Sequence, residues 1–228
     1  MPQIKCSALS LKSYAMLFLA GKGGIKHNPI PLAKLIHGGN MKLPKSTAIF
    51  NLSSATDCLS RRLGLCKAAA QKTKCYALKG ELNHCSRYVL PYRRAQERFW
   101  LFTSAEEFVS QFVMLNSLRK IAFTAIRFCE SGDFHGQHDL EKVEKVAKML
   151  RRFGIRCYCY TSRSDLNFSK IKHLIVSGSN FLKPGIANRF RIVRNLKERM
   201  KGESLCKQDC RVCRKCLMHH LKIVIKNH

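Results

Sequence analysis

Apolar runs of strand length alternate along the chain with stretches in which apolar side chains recur at helical spacing. The strand-like runs are residues 47–52, 121–129, 155–161, 173–177 and, more weakly, 190–193. Residues 86–118 and 140–153 show the helical spacing instead. Strands that alternate with helices favour parallel pairing through right-handed crossovers. We therefore predict an α/β fold, either a partial parallel barrel or an open parallel sheet with helices.

Capping residues predict where two of the helices begin. Ser104 followed by Ala105-Glu106-Glu107 is an N-terminal capping signature, which divides the stretch 86–118 into two helices. Asp139 stands directly before the helix 140–153, and Gly154 ends it. The first helix interleaves arginines with aromatic side chains. Stacking on nucleic-acid bases is one interpretation of this pattern, and packing of Trp100 in the core is the one we prefer.

Three of the predicted strands end in loops of small polar residues. These loops are Glu-Ser-Gly-Asp at 130–133, Thr-Ser-Arg-Ser at 161–164 and Ser-Gly-Ser-Asn at 177–180. The carboxyl ends of parallel strands lie at one edge, where α/β proteins place their ligands. We predict that Glu130 and Asp133 orient a ligand as catalytic residues, and His135 with His138 is a weaker candidate pair for a metal. The residues predicted to bind a cofactor are Ser131, Gly132, Ser162 and Ser177.

The charge of the chain indicates the class of partner. The 228 residues include 42 Lys and Arg against 14 Asp and Glu, a formal net charge of +28. Such an excess is typical of proteins that bind phosphates and release their counterions, so nucleic acid, either DNA or RNA, is the predicted partner. The alternative is a solvated basic surface without a polyanion. No apolar run is long enough to span a bilayer, so we predict no membrane partner.

The number of cysteines indicates the redox compartment. Twelve cysteines are present, and the apolar patch at 15–20 is too short, and too soon followed by Gly21 and Gly23, for a secretory signal peptide. We therefore predict a cytoplasmic protein with reduced thiols. In such a protein, clustered cysteines indicate metal binding before disulfides.

The tightest cysteine cluster is near the carboxyl end. Cys206, Cys210, Cys213 and Cys216 are separated by three, two and two residues. Structural zinc sites usually place a dozen or more residues between two cysteine pairs, whereas consecutive two-residue spacings suit a [4Fe–4S] cubane. We predict that these four residues bind a [4Fe–4S] cluster, with Zn²⁺ as the alternative.

A looser set, Cys58, Cys66 and Cys75, follows the first predicted strand. Arginines and lysines between these cysteines predict a lowered thiol pKa, which favours metal binding. Three ligands would leave one iron of a cluster open to a small molecule. Alternatively Cys206 completes this set, because the cysteine at the three-residue spacing serves a second cluster in bacterial ferredoxins. Cys85 is a further candidate ligand, although we rather expect it in the core.

Several segments resemble the gene product 88 family of phage- and plasmid-encoded proteins. They are KLPKSTAIFNLSSATDC, CYALKG, RFCESGDF, CYCYTSRS and the terminal cysteine run. The resemblance covers roughly residues 40–217 and implies a mobile-element origin, but no particular activity. The first cysteine loop of the family resembles Cys-Pro-Gly-Ala, whereas Leu59, Ser60 and Arg61 follow Cys58 in this chain. Cys58, Cys75 and the four terminal cysteines match the family pattern.

The order of strand, three-cysteine loop and polar strand ends is also similar to that of radical-SAM barrels, at the level of the fold alone. That resemblance implies an iron–sulfur enzyme with S-adenosylmethionine as a further cofactor. The chain departs from those enzymes in lacking their usual Cys-x3-Cys-x2-Cys loop.

Together these patterns predict a basic N-terminal segment at 1–40, an α/β core domain at 41–200 and a cysteine-rich metal-binding tail at 201–228 packed on the core. The predicted function is that of a mobile-element protein that binds an iron–sulfur cluster and acts on or with nucleic acid. Radical-SAM-like catalysis is the form we expect if it is an enzyme. The alternative is a non-catalytic, zinc-stapled nucleic-acid-binding protein. The sequence leaves the reaction and the oligomeric state open.

Overall fold

The structure is a computed structural model that describes residues 30–66, 75–83, 86–193 and 195–226. Most of the predicted N-terminal segment 1–40 and the candidate Cys85 lie outside the described residues. Within the described ranges, no helix is both long and apolar enough to cross a lipid bilayer.

Eight strands form one sheet in the described part of the chain. They are β1 (His37–Gly38), β2 (Thr47–Phe50), β3 (Ala125–Phe128), β4 (Arg156–Thr161), β5 (Leu174–Ser179), β6 (Asn188–Val193), β7 (Ser204–Leu205) and β8 (Lys222–Lys226). Their order across the sheet is β1-β2-β3-β4-β5-β6-β8-β7. The pair β1–β2 is antiparallel and all other neighbours are parallel. The predicted α/β class and the open form of the parallel sheet are confirmed.

The helices of the described residues are α1 (Leu32–Leu35), α2 (Leu59–Arg62), α3 (Tyr76–Leu82), α4 (Ser86–Phe102), α5 (Ala105–Ser117) and α6 (Gln137–Arg151). The predicted division of the stretch 86–118 is confirmed. The Ser104 hydroxyl accepts a hydrogen bond from the Glu107 backbone N–H at 3.0 Å and so begins α5.

The predicted helix cap at Asp139 is wrong. Helix α6 begins at Gln137, three residues before the predicted start, with Gly136 as its N-cap. Asp139 lies inside the first turn and is buried, because its carboxylate accepts a hydrogen bond from Trp100 Nε1 at 3.0 Å. A short-range capping pattern therefore gave way to a contact between two helices that are distant in sequence.

The helices that follow β2 and β3 lie on one face of the sheet because β2, β3, β4 and β5 are neighbours in chain order. Each right-handed crossover then places its helix on the same side. The core fills the space between this face and the helices, and the fully buried Trp100 packs edge-on against Phe108 with ring centres 5.6 Å apart. The predicted core position of Trp100 is confirmed.

Alternation along the strands separates a helix-covered face from a second face, which we call the open face. Cys157 and Cys159 point to the helix-covered side, are 1% and 0% exposed, and pack in the core. Tyr158 belongs instead to a separate small cluster on the open face. Arg127 and Tyr160 line the same pocket as Tyr158 and share that face.

The cysteine-bearing chain between β7 and β8 covers part of the open face. Cys216 and Leu217 pack against Ala125, Tyr158 and Ile175 there. After this segment the chain forms β8, which lies between β6 and β7. The segment thus enters from one strand of the sheet and returns to another. The predicted division into core and tail stays a prediction.

His135 joins α4 to α6 through two carboxylates. Its Nδ1 lies 2.9 Å from Asp139 Oδ2, and its Nε2 lies 2.8 Å from Glu97 Oε1. The hydrogen bond to Asp139 and then that to Glu97 raise the pKa of His135 to about 9. The imidazolium therefore stabilises the fold fully below its unfolded-state pKa of about 6.5. This stabilisation is lost as the pH rises through about 9.

We predict that loss of this charge lowers the free energy of unfolding by about 1–2 kcal/mol between about pH 7 and pH 10. A pKa shift of this size would correspond to ~3 kcal/mol in a fully buried group. The expected value is smaller because the His135 side chain is 34% exposed, so solvent screens its ion pairs. Urea unfolding at the two pH values measures the fall, with His135→Gln as the matched variant. An equally large fall in the variant would assign the pH dependence to other groups.

Candidate functional site

The four terminal cysteines surround one pocket on the open face. The pocket has an empty volume of about 680 Å³, part of it open to solvent. Its cysteine lining is Cys206, Cys210, Cys213 and Cys216. The strand side chains that line it include Arg127 from β3 and Arg156, Tyr158 and Tyr160 from β4. The sequence cluster is therefore also a cluster in space.

Backbone hydrogen bonds hold the cysteine segment in place. The Cys206 N–H donates to the Val224 carbonyl at 2.8 Å, and the Cys210 N–H donates to the Lys42 carbonyl at 2.9 Å. At the far end, the Asn188 side chain donates to the Met218 carbonyl and accepts from the Leu221 N–H. Hydrogen bonds to the strands of the sheet therefore hold the cysteine segment over the pocket at both of its ends.

The thiols of this set influence one another. Burial raises the pKa of Cys216 to about 11, although a hydrogen bond from Tyr160 opposes the rise. The Tyr160 hydroxyl donates that bond to Cys216 Sγ over 2.5 Å. Burial also raises the pKa of Cys210, and Cys206 and Cys213 add to the rise. Cys206 thus lies with the terminal set, and not with the first cysteine loop as the alternative assignment expected.

Arg127 is a half-buried cation with few partners. Its Nε is buried and has no hydrogen-bond partner, and its NH2 is 3.5 Å from the Tyr76 hydroxyl. Across the described ranges, no carboxylate oxygen lies within salt-bridge distance of this guanidinium. A guanidinium with a buried and unsatisfied nitrogen is costly without an anion, so the pocket suits an anionic occupant.

A second buried polar atom without a partner lies on β5, which β4 separates from β3. Ser177 Oγ is inaccessible to solvent and makes no hydrogen bond. Ile175 belongs to the open-face cluster, so strand alternation places Ser177 on the same face. Ser177 was predicted to bind a cofactor, and its unsatisfied hydroxyl is consistent with a missing group on this face.

The first cysteine loop forms a second group of thiols at the carboxyl end of β2. Cys58 directly precedes α2 and Cys75 directly precedes α3. Burial raises the pKa of Cys58 to about 12, with a further rise from Asp133 and smaller ones from Cys66 and Cys75. The predicted lowering of thiol pKa by nearby cations is wrong for Cys58, because burial outweighs them.

Metal binding by either cysteine set stays a prediction. Among the residues that the structure describes, no three His, Cys, Asp or Glu side chains are placed so that they could hold a metal ion. Other cysteines of the same set are nevertheless close enough to add to the raised pKa of Cys58, Cys210 and Cys216.

Asp133 connects three loops at the carboxyl edge of the sheet. Its buried carboxylate accepts hydrogen bonds from Ser60 Oγ (2.5 Å), Thr161 Oγ1 (2.7 Å), the Ser162 N–H (2.8 Å) and the Phe134 N–H (2.9 Å). Burial raises the pKa of Asp133 even though these donors oppose the rise. Two of the predicted polar loops therefore meet here, together with the first cysteine loop. The predicted role of Asp133 toward a ligand stays a prediction.

Ser131 and Gly132 are held in the interior of the same edge. The Ser131 N–H donates to Asn51 Oδ1 at 2.7 Å, and its hydroxyl donates to Glu81 Oε1 at 3.2 Å. Gly132 adopts a positive φ of 68° and packs against Ser53. Both residues shape the loop that carries Glu130.

Glu130 is partly exposed. Its Oε1 accepts a hydrogen bond from Asn40 Nδ2 at 2.6 Å. Its carbonyl oxygen accepts one from the hydroxyl of Tyr76, the residue after Cys75, at 2.7 Å. Of the two predicted carboxylates, Glu130 is the more accessible to a ligand.

Two charged residues of this region were missed in the sequence. Glu81 is buried, and hydrogen bonds from Ala55, Arg93 and Thr56 lower its pKa against the effect of burial. Nothing local distinguishes it, since its partners come from loops far along the chain. Arg127 had a local signal, because it is the single charged residue of the apolar strand β3.

A model of the gene product 88 family matches residues 23–182, well over half of the chain. No curated protein and no solved structure matches the chain significantly. The fold-level likeness to radical-SAM barrels therefore gains no support from these comparisons.

Gly132 provides a test of the loop geometry. We predict that Gly132→Ala destabilises the protein by about 1–3 kcal/mol more than Gly154→Ala. Both glycines have a positive φ, 68° and 71°. A Cβ at Gly132 would overlap the Oγ and the carbonyl oxygen of Ser53, whereas one at Gly154 would meet nothing within 4 Å. Chemical unfolding of both variants measures the difference, and equal losses would contradict the close packing on Ser53.

Proposed function

This chain belongs to the gene product 88 family, and we propose that it is a phage- or plasmid-borne protein that binds an iron–sulfur centre. The proposed ligands of this terminal centre are Cys206, Cys210, Cys213 and Cys216. The observation that carries the proposal is their common pocket on the open face, beside Arg127, whose buried Nε makes no hydrogen bond. Four thiolates with their metal form an anionic group, which is the kind of partner that this guanidinium lacks.

Spacing within the segment favours iron–sulfur over zinc as the occupant. The consecutive two-residue spacings of the last three cysteines suit a cubane, whereas a structural zinc usually takes two separated pairs. We keep zinc as the alternative occupant, because thiolates bind both metals.

Cys58, Cys66 and Cys75 are proposed to hold a second centre. When bound, such a centre supplies one-electron chemistry, and an iron without a protein ligand offers a position for a small molecule. Glu130 lies at the same edge of the sheet and would bind an amine or hydroxyl of that molecule. Asp133 would keep the three surrounding loops in register through its four hydrogen bonds. An adenosine-containing cofactor such as S-adenosylmethionine is the small molecule to test first.

We predict about eight irons and a similar amount of sulfide in protein purified without oxygen, about four for each centre. The double variant Cys210→Ser with Cys213→Ser should lose about half of the iron, and Cys58→Ser with Cys75→Ser the other half. Cys157→Ala is the matched control, because Cys157 is buried on the helix-covered face. Absorption spectra with iron, zinc and sulfide analysis make the measurement.

Each outcome of this experiment decides between the alternatives. Stoichiometric zinc in a colourless protein would reject the redox function and favour a zinc-stapled binding protein. A protein without metal in either set would reject metal binding altogether. Iron that survives both double variants would show that other residues bind it.

We further propose that the protein binds nucleic acid. The support is the charge: 14 carboxylates cannot neutralise 42 Lys and Arg side chains. Two of the arginines that follow β5 are nevertheless neutralised within the protein. Glu203 forms ion pairs with Arg189 and Arg191 at 2.9 and 2.8 Å. The hydrogen bond from Arg191 makes the largest contribution to lowering the pKa of Glu203, which falls to about 2. Phosphate contacts are therefore expected from other cations of the surface.

We predict that binding to a DNA duplex and to an RNA duplex of equal sequence weakens linearly with the logarithm of salt concentration. Fluorescence anisotropy over about 0.05 to 0.2 M KCl measures the slope, which counts the phosphates contacted. Heparin at equal charge is the competitor that separates nucleic-acid binding from general polyanion binding. The absence of binding near 0.15 M salt would reject nucleic acid as the partner.

A further inference from the structure

We infer that Arg127 and Tyr160 set the reduction potential of the terminal centre, as the half-buried cation and the hydroxyl donor that face its sulfur ligands. The inference rests on the proposed function, because it requires a redox-active occupant of the terminal pocket. It assigns a role to two side chains on adjacent strands beneath the cysteine segment.

Arg127 is placed to act on the centre by charge. It lies in β3 on the open face and lines the pocket with Cys206, Cys210 and Cys216. Within the described residues its guanidinium has no carboxylate in salt-bridge distance, and its Nε has no hydrogen-bond partner. Its positive charge is therefore available to an anionic group in the pocket.

Tyr160 is placed to act by hydrogen bonding. Its hydroxyl donates to Cys216 Sγ at 2.5 Å. The Arg127 guanidinium carbon lies 5.1 Å from the centre of the Tyr160 ring. On its other side, the ring packs edge-on against Phe190, with ring centres 5.0 Å apart and an interplanar angle of 75°. These contacts fix the direction of the hydroxyl.

The sign of the effect follows from electrostatics. A cubane with four thiolate ligands carries net negative charge, and reduction adds one more electron. A nearby positive charge or a donor to sulfur stabilises the reduced form more than the oxidised form, which raises the potential. Burial strengthens the effect, because the local dielectric is lower than that of water.

A potentiometric titration tests the inference on the full-length, iron-loaded protein. Dithionite supplies one electron to each centre, and absorption with electron paramagnetic resonance follows the reduced form. Arg127→Met and Tyr160→Phe should each make the potential of the terminal centre more negative, with the larger shift for Arg127→Met. Arg127→Lys should restore most of the wild-type value, because it keeps the charge.

Arg156→Met is the matched control. Arg156 lines the same pocket from β4 but is exposed, so solvent screens its charge and the expected shift is small. Equal shifts in the Arg127 and Arg156 variants would overturn the inference, since they would reflect net charge alone. An unchanged potential in both Arg127→Met and Tyr160→Phe would also overturn it.

Failure of the inference is distinguishable from failure of the proposed function. Wild-type protein without iron and sulfide at the terminal cysteines would reject both. Wild-type protein with a normal iron–sulfur spectrum, together with unchanged potentials in the variants, would reject the inference and leave the proposed function standing. If Arg127→Met does not fold, Tyr160→Phe decides the question, because it removes only the hydroxyl.

Discussion

The winding of the sheet in one direction is the constraint on which the rest of the structure depends. Because β2 to β5 are neighbours in chain order, their crossover helices are all forced onto one face. The opposite face must then be covered by chain that comes later in the sequence. The cysteine segment between β7 and β8 does this, and strand alternation decides that Arg127, Tyr158 and Tyr160 lie beneath it.

The same winding brings the carboxyl ends of the strands to one edge, where Asp133 connects the loops. Four donors from three loops converge on one buried carboxylate, which leaves it little capacity to accept a further hydrogen bond. Glu130, three residues earlier, is bound to Asn40 at the surface of the edge. Two acidic residues of one loop thus have different environments, one structural and one accessible.

Much of the architecture follows from local patterns, whereas the site depends on partners that local patterns do not contain. Apolar runs and the Ser104 cap predict strands and helices well, because both act over a few residues. The cap at Asp139 failed because the Trp100 indole, from another helix, competes for the carboxylate. The pKa of Cys58 was predicted to be lowered but is raised, because neighbouring cations in the sequence do not reveal how deeply the thiol is buried. Glu81 could not be found at all, because its hydrogen-bond donors are brought to it only by folding.

The path of the cysteine segment has a thermodynamic consequence for whatever occupies its pocket. The segment leaves the sheet at β7 and returns to it at β8, and these two strands are paired with each other. The pairing of these strands closes the loop, so the sheet and its hydrogen bonds offset the entropy of loop closure. In a zinc finger, by contrast, the metal must order an unfolded chain, so much of its binding energy becomes folding energy. Here little of the binding free energy of an occupant would be needed to order the chain, so most of it would contribute to affinity. The protein would keep its fold after the occupant is removed.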